Sequence, residues 1–328
     1  MIHFIKIIAP LFIALAAFAQ SIEDLQRSYS GTSSWNPQTG HFAFTSSGVI
    51  NFEREDFKSG IWTVPEGVTK ITIRTNVKVT GQFTIRHDCT IEGADQKTSI
   101  LHGTDIPKLL HQNQLDKGGN CIPYSAVYGE GKIDLYVNNL TTLNPIGYMW
   151  TGKQGARIHL NGVRGIDDRG GWHNHSDGIS AAAGSTVRNC YLETGDDAIK
   201  LYADITVENT TIKMIQNCVP IQLGWGSYGN NAHGTFRNLT IIGDKGRGKP
   251  PAVIVGRKGA YQKTIHIDGL NLVNTNAALV SLYEAGMNLD LTAKNAAITV
   301  KQFWGKSAGN CRSVINETKE QVNRYTSP

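Results

Sequence analysis

Charge is scarce in this chain. Asp, Glu, Lys and Arg make up 18% of its 328 residues, and the net charge is +5. No basic helix, zinc finger or aromatic RNP pattern is present, which argues against a nucleic-acid partner. Proline is limited to 10 residues. None is grouped into a Pro/Ser-rich linker, so a single domain is expected. Apolar residues at a helical period are hard to find, which argues against a bundle. The five cysteines, Cys89, Cys121, Cys190, Cys218 and Cys311, include no Cys-x-x-Cys pair. Cys190 and Cys218 fall within apolar strand patterns and are expected as buried thiols. Cys121 or Cys311 could be bridged, with a connectivity that spacing does not choose. Beyond the N-terminus no apolar run approaches the ~18 residues of a membrane span.

The N-terminus carries a run of its own. Lys6 ends a short basic stretch, "IIAPLFIALAAFA" follows, and Ala17-Phe18-Ala19 has the small-x-small pattern of a signal-peptidase site. Residues 1–19 therefore read as a secretory signal cleaved near Ala19, with an uncleaved anchor as the alternative. The mature protein is expected outside the cytoplasm, extracellular or periplasmic.

Glycine is abundant, at 35 residues, and Asn, Thr and Ile are plentiful. This mixture suits many short strands joined by tight turns. A degenerate unit recurs: apolar, any residue, Asn or Gly, two residues, apolar. It reads "VRNCYL" at 187, "VENTTI" at 207, "FRNLTI" at 236 and "IDGLNL" at 267. Weaker copies are "VNNLTT" at 137, "LNGVRG" at 160 and "AKNAAI" at 293. Each alternates as a strand does, and the starts lie between twenty and thirty-one residues apart. A right-handed parallel β-helix stacks such units around one apolar core. A leucine-rich solenoid lacks its LxxLxL consensus here, and a β-sandwich would give the unit no reason to recur. Residues 20–65, with Trp35, Phe42, Phe44, Phe52, Phe57 and Trp62, are expected to cap the first rung. Residues 303–328 are expected to form the C-terminal cap and tail. The fold class is all-β, with 20–328 as one domain.

The coil gives three acids a meaning. "DGI" at 177–179 and "DAI" at 197–199 align at an offset of twenty residues, one short turn of the coil. Equivalent positions on neighbouring parallel strands lie ~4.8 Å apart, so Asp177 and Asp197 stack, with Asp196 beside them. At that distance and an effective dielectric near 20, two carboxylates repel by roughly 3 kcal/mol. A hydrolase can use such repulsion, because it keeps one acid protonated near neutral pH. That acid protonates a leaving glycosidic oxygen while a second carboxylate orients water. The next coil places Gln222 above Lys200, and the one after it places Arg257 near the level of Trp225. His175, Lys200, Tyr202, Gln222, Trp225 and Arg257 are the candidate substrate-binding residues. No metal and no cofactor is expected, although His173 and His175 have a spacing that could bind one. "DKGRGK" at 244–249 reads as a solvated loop. Of five Asn-x-Ser/Thr sequons, at Asn139, Asn174, Asn209, Asn238 and Asn316, one on Asn174 would obstruct the cleft.

"HSDGI", "GDDAIKLY" and "VPIQLGWG" together resemble the β-helical polysaccharide hydrolases of the polygalacturonase clan. The likeness is strongest to glycoside hydrolase family 49, the dextranase and isopullulanase group, with its "xDG", "DDAIKxYY" and "PxxQxGW". It is specific over roughly residues 170–230. The resemblance implies inverting hydrolysis by an aspartate triad, with Asp196 as general acid and Asp177 and Asp197 holding and activating water. The chain departs from the pattern in three ways. It is short for the N-terminal sandwich domain usual in family 49. Gly224-Trp225-Gly226 stands where polygalacturonases carry a histidine motif. Their substrate-binding Arg and Lys correspond to an adjacent Arg257-Lys258.

Four functions remain in competition. The first is a secreted, endo-acting hydrolase of an α-linked glucan such as dextran. The second is a hydrolase of a pectic or sulfated galactan chain, favoured by Lys200, Arg257 and Lys258. The third is a β-helical lyase, and the fourth a non-catalytic β-helical adhesin. A polysaccharide is the expected partner, and a monomer the expected state.

Overall fold

A computed structural model describes residues 21–51, 60–106, 122–170, 176–316 and 321–322. The only helical elements among them are Ile22–Ser28 and the short turn of 3-10 helix at Ile122–Tyr124. Apart from the antiparallel pairs of Ser33–Asn36 with His41–Phe44 and of Asn310–Ile315 with Gln321–Val322, the strands form a parallel coil of three sheets. The first sheet begins with His41–Phe44, Lys70–Ile73, Cys89–Gly93, Asp134–Asn138, Arg157–Asn161 and Ser185–Arg188, paired in register. It continues through the opening halves of Ile205–Met214 and His233–Gly243. The second sheet includes Thr141–Leu143, Arg164–Ile166 and Tyr191–Glu193. The third stacks Val127–Glu130, Trp150–Lys153, Ile179–Ser180, Ile199–Lys200, Ile221–Trp225 and Ala252–Lys258. This is the parallel β-helix expected from the repeat.

Register puts like on like. Phe42, Ile71, Ile91, Val137, Leu160, Val187, Val207 and Phe236 stack in one column, each on its registered neighbour. All are buried. Burying such a side chain contributes about 1.5–3 kcal/mol, so each added rung adds its own share of core. Period-2 alternation turns the intervening residues outward, where Arg188 and Arg237 flank Glu208.

The repeat's Asn-or-Gly position is the corner between the first and second sheets. Asn139, Gly162, Asn189, Asn209, Asn238, Gly269 and Asn295 all have left-handed backbones, with φ between 48° and 81°. Only Gly and Asn adopt that conformation readily. The asparagines also form a ladder along the axis. Asn189 donates to Asn161 Oδ1 (2.8 Å), Asn209 to Asn189 (3.2 Å) and Asn238 to Asn209 (2.9 Å). The sequon asparagines Asn139, Asn209, Asn238 and Asn316 thus commit the nitrogen that a glycan would occupy.

The segment expected as a cap also supplies the first coil: His41–Phe44, Gly48–Val49 and Ile61–Thr63 each pair in parallel with the strand above. Helix Ile22–Ser28, started by a Ser21/Asp24 capping box, covers that end with Leu25. Phe42, Phe44, Trp62 and Phe83 pack edge-on and stacked beneath it. At the other end Asn310–Ile315 adds in parallel to Met287–Ser307. Cys89, Cys190, Cys218 and Cys311 are free and buried, and burial pushes each thiol up to about 12. For Cys311 this corrects the expectation of a bridge, because it points into the core. Cys121, Phe52, Phe57 and residues 1–19 lie outside the described residues. No described helix is long and apolar enough to cross a membrane.

Candidate active site

The site grows from the corner between the second and third sheets. There the chain departs from strand at 167–170 and 176–178, 194–198, 215–220 and 244–251 on successive coils. These corners stack because the third-sheet strands that follow them pair. Ile179 lies on Ile199 and Ile199 on Ile221. Asp177 and Asp197, each two residues before the paired isoleucines, therefore lie one rung apart. Gly178 donates to the Asp197 carbonyl (2.8 Å), and Asp196 to the Ser176 carbonyl (3.1 Å). A Cβ on Gly178 would sit 2.2 Å from the Ala198 carbonyl oxygen, so only glycine permits this approach.

The three carboxylates converge, each placing an oxygen within 4.8 Å of the others. They are nearly buried: side-chain exposure is 6% for Asp177, 2% for Asp197 and 8% for Asp196. Lys200 supplies positive charge between two of them, at 2.8 Å from Asp177 and 3.1 Å from Asp197. Gln222, paired with Lys200 in register, donates to Asp197 Oδ1 at 3.3 Å. Burial raises the Asp197 carboxyl to about 7; Lys200 opposes the shift, and Asp196 and Asp177 add to it. Burial also works against the Lys200 charge, but Asp177 and Asp197 outweigh it and hold the ammonium well above its ordinary value.

Aromatic and basic groups surround the acids. The Lys200 ammonium lies 4.8 Å from the centre of the Tyr148 ring and 5.6 Å from that of Tyr202. Tyr202 stacks on the exposed Tyr228 at 4.8 Å. Trp225 is 37% exposed, with the Arg247 guanidinium 5.2 Å and the Lys258 ammonium 5.8 Å from its ring centre. Arg257 lies 4.2 Å over Tyr283, and burial lowers its pKa, with Arg247 contributing.

Arg247 corrects the reading of "DKGRGK" as a solvated loop. The 244–251 corner folds back two coils, and Arg247 Nη1 reaches both oxygens of Asp196, at 3.3 and 3.2 Å. A longer corner has the reach to do this, which a list of basic residues does not show. Tyr148 and Tyr283 also border this region, under Lys200 and Arg257 respectively, and neither lies in the motifs that mark the acids. The structure brings Asp177, Asp196, Asp197, Lys200, Tyr202 and Gln222 together, with Trp225 beside Arg247. Arg257 stands at the edge, beside the Arg247 corner. His175 and His173 lie outside the described residues.

No family model matches the chain. A dextranase of Arthrobacter sp. (strain CB-8) is 26% identical over 176 residues, 49% of this chain and 27% of that protein. A dextranase of Arthrobacter globiformis is 24% identical over the same shares. The chain thus matches about a quarter of the length of these curated relatives. Among solved structures, Dex49A from Penicillium minioluteum superposes with a TM-score of 0.51 at 14% identity, covering 84% of this chain and 54% of that one. The chain resembles the dextranases of glycoside hydrolase family 49. The dextranase likeness rests on sequence, and the Dex49A superposition shows the β-helix.

Proposed function

We propose that this chain is a secreted glycoside hydrolase that cleaves an α-linked glucan such as dextran, endo-wise, at Asp177, Asp196 and Asp197. The observation that carries the reading is the convergence of three buried carboxylates around Lys200. Three carboxylates against the Lys200 and Arg247 cations leave one negative charge uncompensated, and a shared proton neutralises it. Burial and the neighbouring acids raise the Asp197 carboxyl to about 7, so it keeps a proton up to near-neutral pH. The family resemblance gives Asp196 the part of general acid, and Asp177 and Asp197 that of holding and activating water. The raised carboxyl is Asp197, so a proton passes from Asp197 to Asp196 within the cluster before it reaches the leaving oxygen. Tyr202, Tyr228 and Trp225 offer ring faces to the sugar. Inversion is the outcome carried by the family resemblance. The close approach of the carboxylates lies below the ~6.5–9.5 Å usual for inverting pairs, so the first-formed anomer, read by NMR, is a sharp check.

A second reading, an acidic or sulfated galactan, is favoured by Arg247, Arg257 and Lys258 crowding one edge of the site. Reducing-end release from dextran, pullulan, polygalacturonate and sulfated galactans separates the two. Release from dextran or pullulan supports the first reading, and release confined to the charged polymers supports the second. No release from any of them contradicts both.

A further inference from the structure

Behind the carboxylates lies a buried polar network that the chemistry above does not use. Asp167 and Arg169, just after the strand Arg164–Ile166, form an ion pair with side-chain exposures of 0% and 2%. Arg169 donates through Nε (2.9 Å) and Nη2 (2.6 Å) to the two Asp167 oxygens. Its Nη1 reaches back to the carbonyls of Thr104 (3.4 Å) and Ile106 (2.9 Å). The same Asp167 carboxylate accepts a short hydrogen bond from the Ser176 hydroxyl. That hydroxyl in turn accepts from the Gly195 amide at 3.1 Å, and the Ser176 carbonyl accepts from the Asp196 amide at 3.1 Å.

Ser176 is fully buried and directly precedes Asp177; Gly195 directly precedes Asp196. One residue thus grips two consecutive amides of the next coil, and an immobile carboxylate sets its hydroxyl. Burying an ion pair costs several kcal/mol of desolvation per ion. Apolar packing would hold a coil corner without that cost. What the pair adds is direction: Arg169 is bidentate on Asp167, and the oxygen that accepts from Arg169 Nη2 is also the one that accepts from Ser176.

We propose that Ser176, held by the Asp167–Arg169 pair, is a positioning residue that sets the distance between the turn carrying Asp177 and the turn carrying Asp196. This rests on the hydrolase reading for its kinetic consequence, but not for its structural one. The Ser176 hydroxyl touches no reacting atom and acts through the backbone of Gly195.

Ser176→Ala is the decisive variant, because it removes one oxygen and leaves the corner packed. The expected result is a fall in kcat of at least about tenfold, the scale that misplacing a reacting group commands, with KM changed by less than about twofold. Asp167→Asn falls in the same direction. Combined with Ser176→Ala, it costs little beyond the larger single effect, because both act on one contact. Full kcat in Ser176→Ala, or additive losses in the double variant, overturns the proposal. If the wild-type chain cleaves no glycan, the hydrolase reading fails and the positioning claim is judged by titration alone. Carbon NMR of labelled aspartates then compares the midpoint of the buried set. A displacement of at least about half a pH unit in Ser176→Ala is expected, since altered spacing alters mutual repulsion. An unmoved midpoint overturns it.

Discussion

At the residue scale the site is a problem of charge placed out of water. Three carboxylates with almost no exposure would repel and stay neutral without a cation among them. Lys200 supplies one from the strand after Asp197, its ammonium reaching both Asp177 and Asp197. Lys200→Met removes the cation that Asp177 and Asp197 share, at a cost of about 3–5 kcal/mol at neutral pH. The sign then follows from linkage. Buried carboxylates that lose a shared cation hold their protons to higher pH when folded than when unfolded, so the folded state gains on acidification. The stability deficit of Lys200→Met should be largest above pH 7 and shrink as pH falls toward about 4, where unfolded carboxylates also take up protons. Melting curves across that range check it; a deficit independent of pH contradicts it. In the wild-type chain the same proton inventory predicts hydrolysis that declines above about pH 7, as Asp197 loses its proton.

At the scale of elements, the corners do two jobs. The Asn corner between first and second sheets is structural. Asn209 has a φ of 48° and bonds to Asn189 below and Asn238 above. Asn209→Val forces a β-branched residue into that backbone and cuts the ladder. The expected cost is about 1–3 kcal/mol, read as a lower urea midpoint with kcat unchanged. A fall in kcat without a loss of stability would contradict the division of labour between corners. The second corner carries the proposed chemistry, and it is unevenly legible in the sequence. Asp177 over Asp197 could be read because exactly one short coil separates two similar tripeptides, "DGI" and "DAI". Lys200 under Gln222 followed from the same alignment. Arg247 could not be read that way: its corner is long, and nothing in "DKGRGK" says that it turns back toward Asp196. Nor could Ser176, since a serine in a turn carries no pattern that marks it as a grip between coils. The Asn position was visible as a recurrence, but its left-handed backbone is a property of the corner.

At the scale of the whole molecule, the coil explains why the groups can meet at all. Each rung fixes the next by registered aliphatic stacking, so residues twenty to seventy apart in sequence are held within a few rungs. The proposed hydrolysis needs little motion of the acids, which sit on corners held by the stacked, paired strands that follow them. It also makes the acids separable from the fold, because the core columns run elsewhere. Asp196 is the acid whose side chain is most exposed and whose partner, Arg247, comes from a surface corner. The most direct measurement is therefore kcat for Asp196→Asn on the glycan that the wild-type chain cleaves best, taken beside its melting temperature. Turnover at least about a hundredfold lower, as loss of a general acid demands, with melting almost unchanged, is the predicted result. Turnover equal to wild type would remove Asp196 from the reaction and contradict the triad.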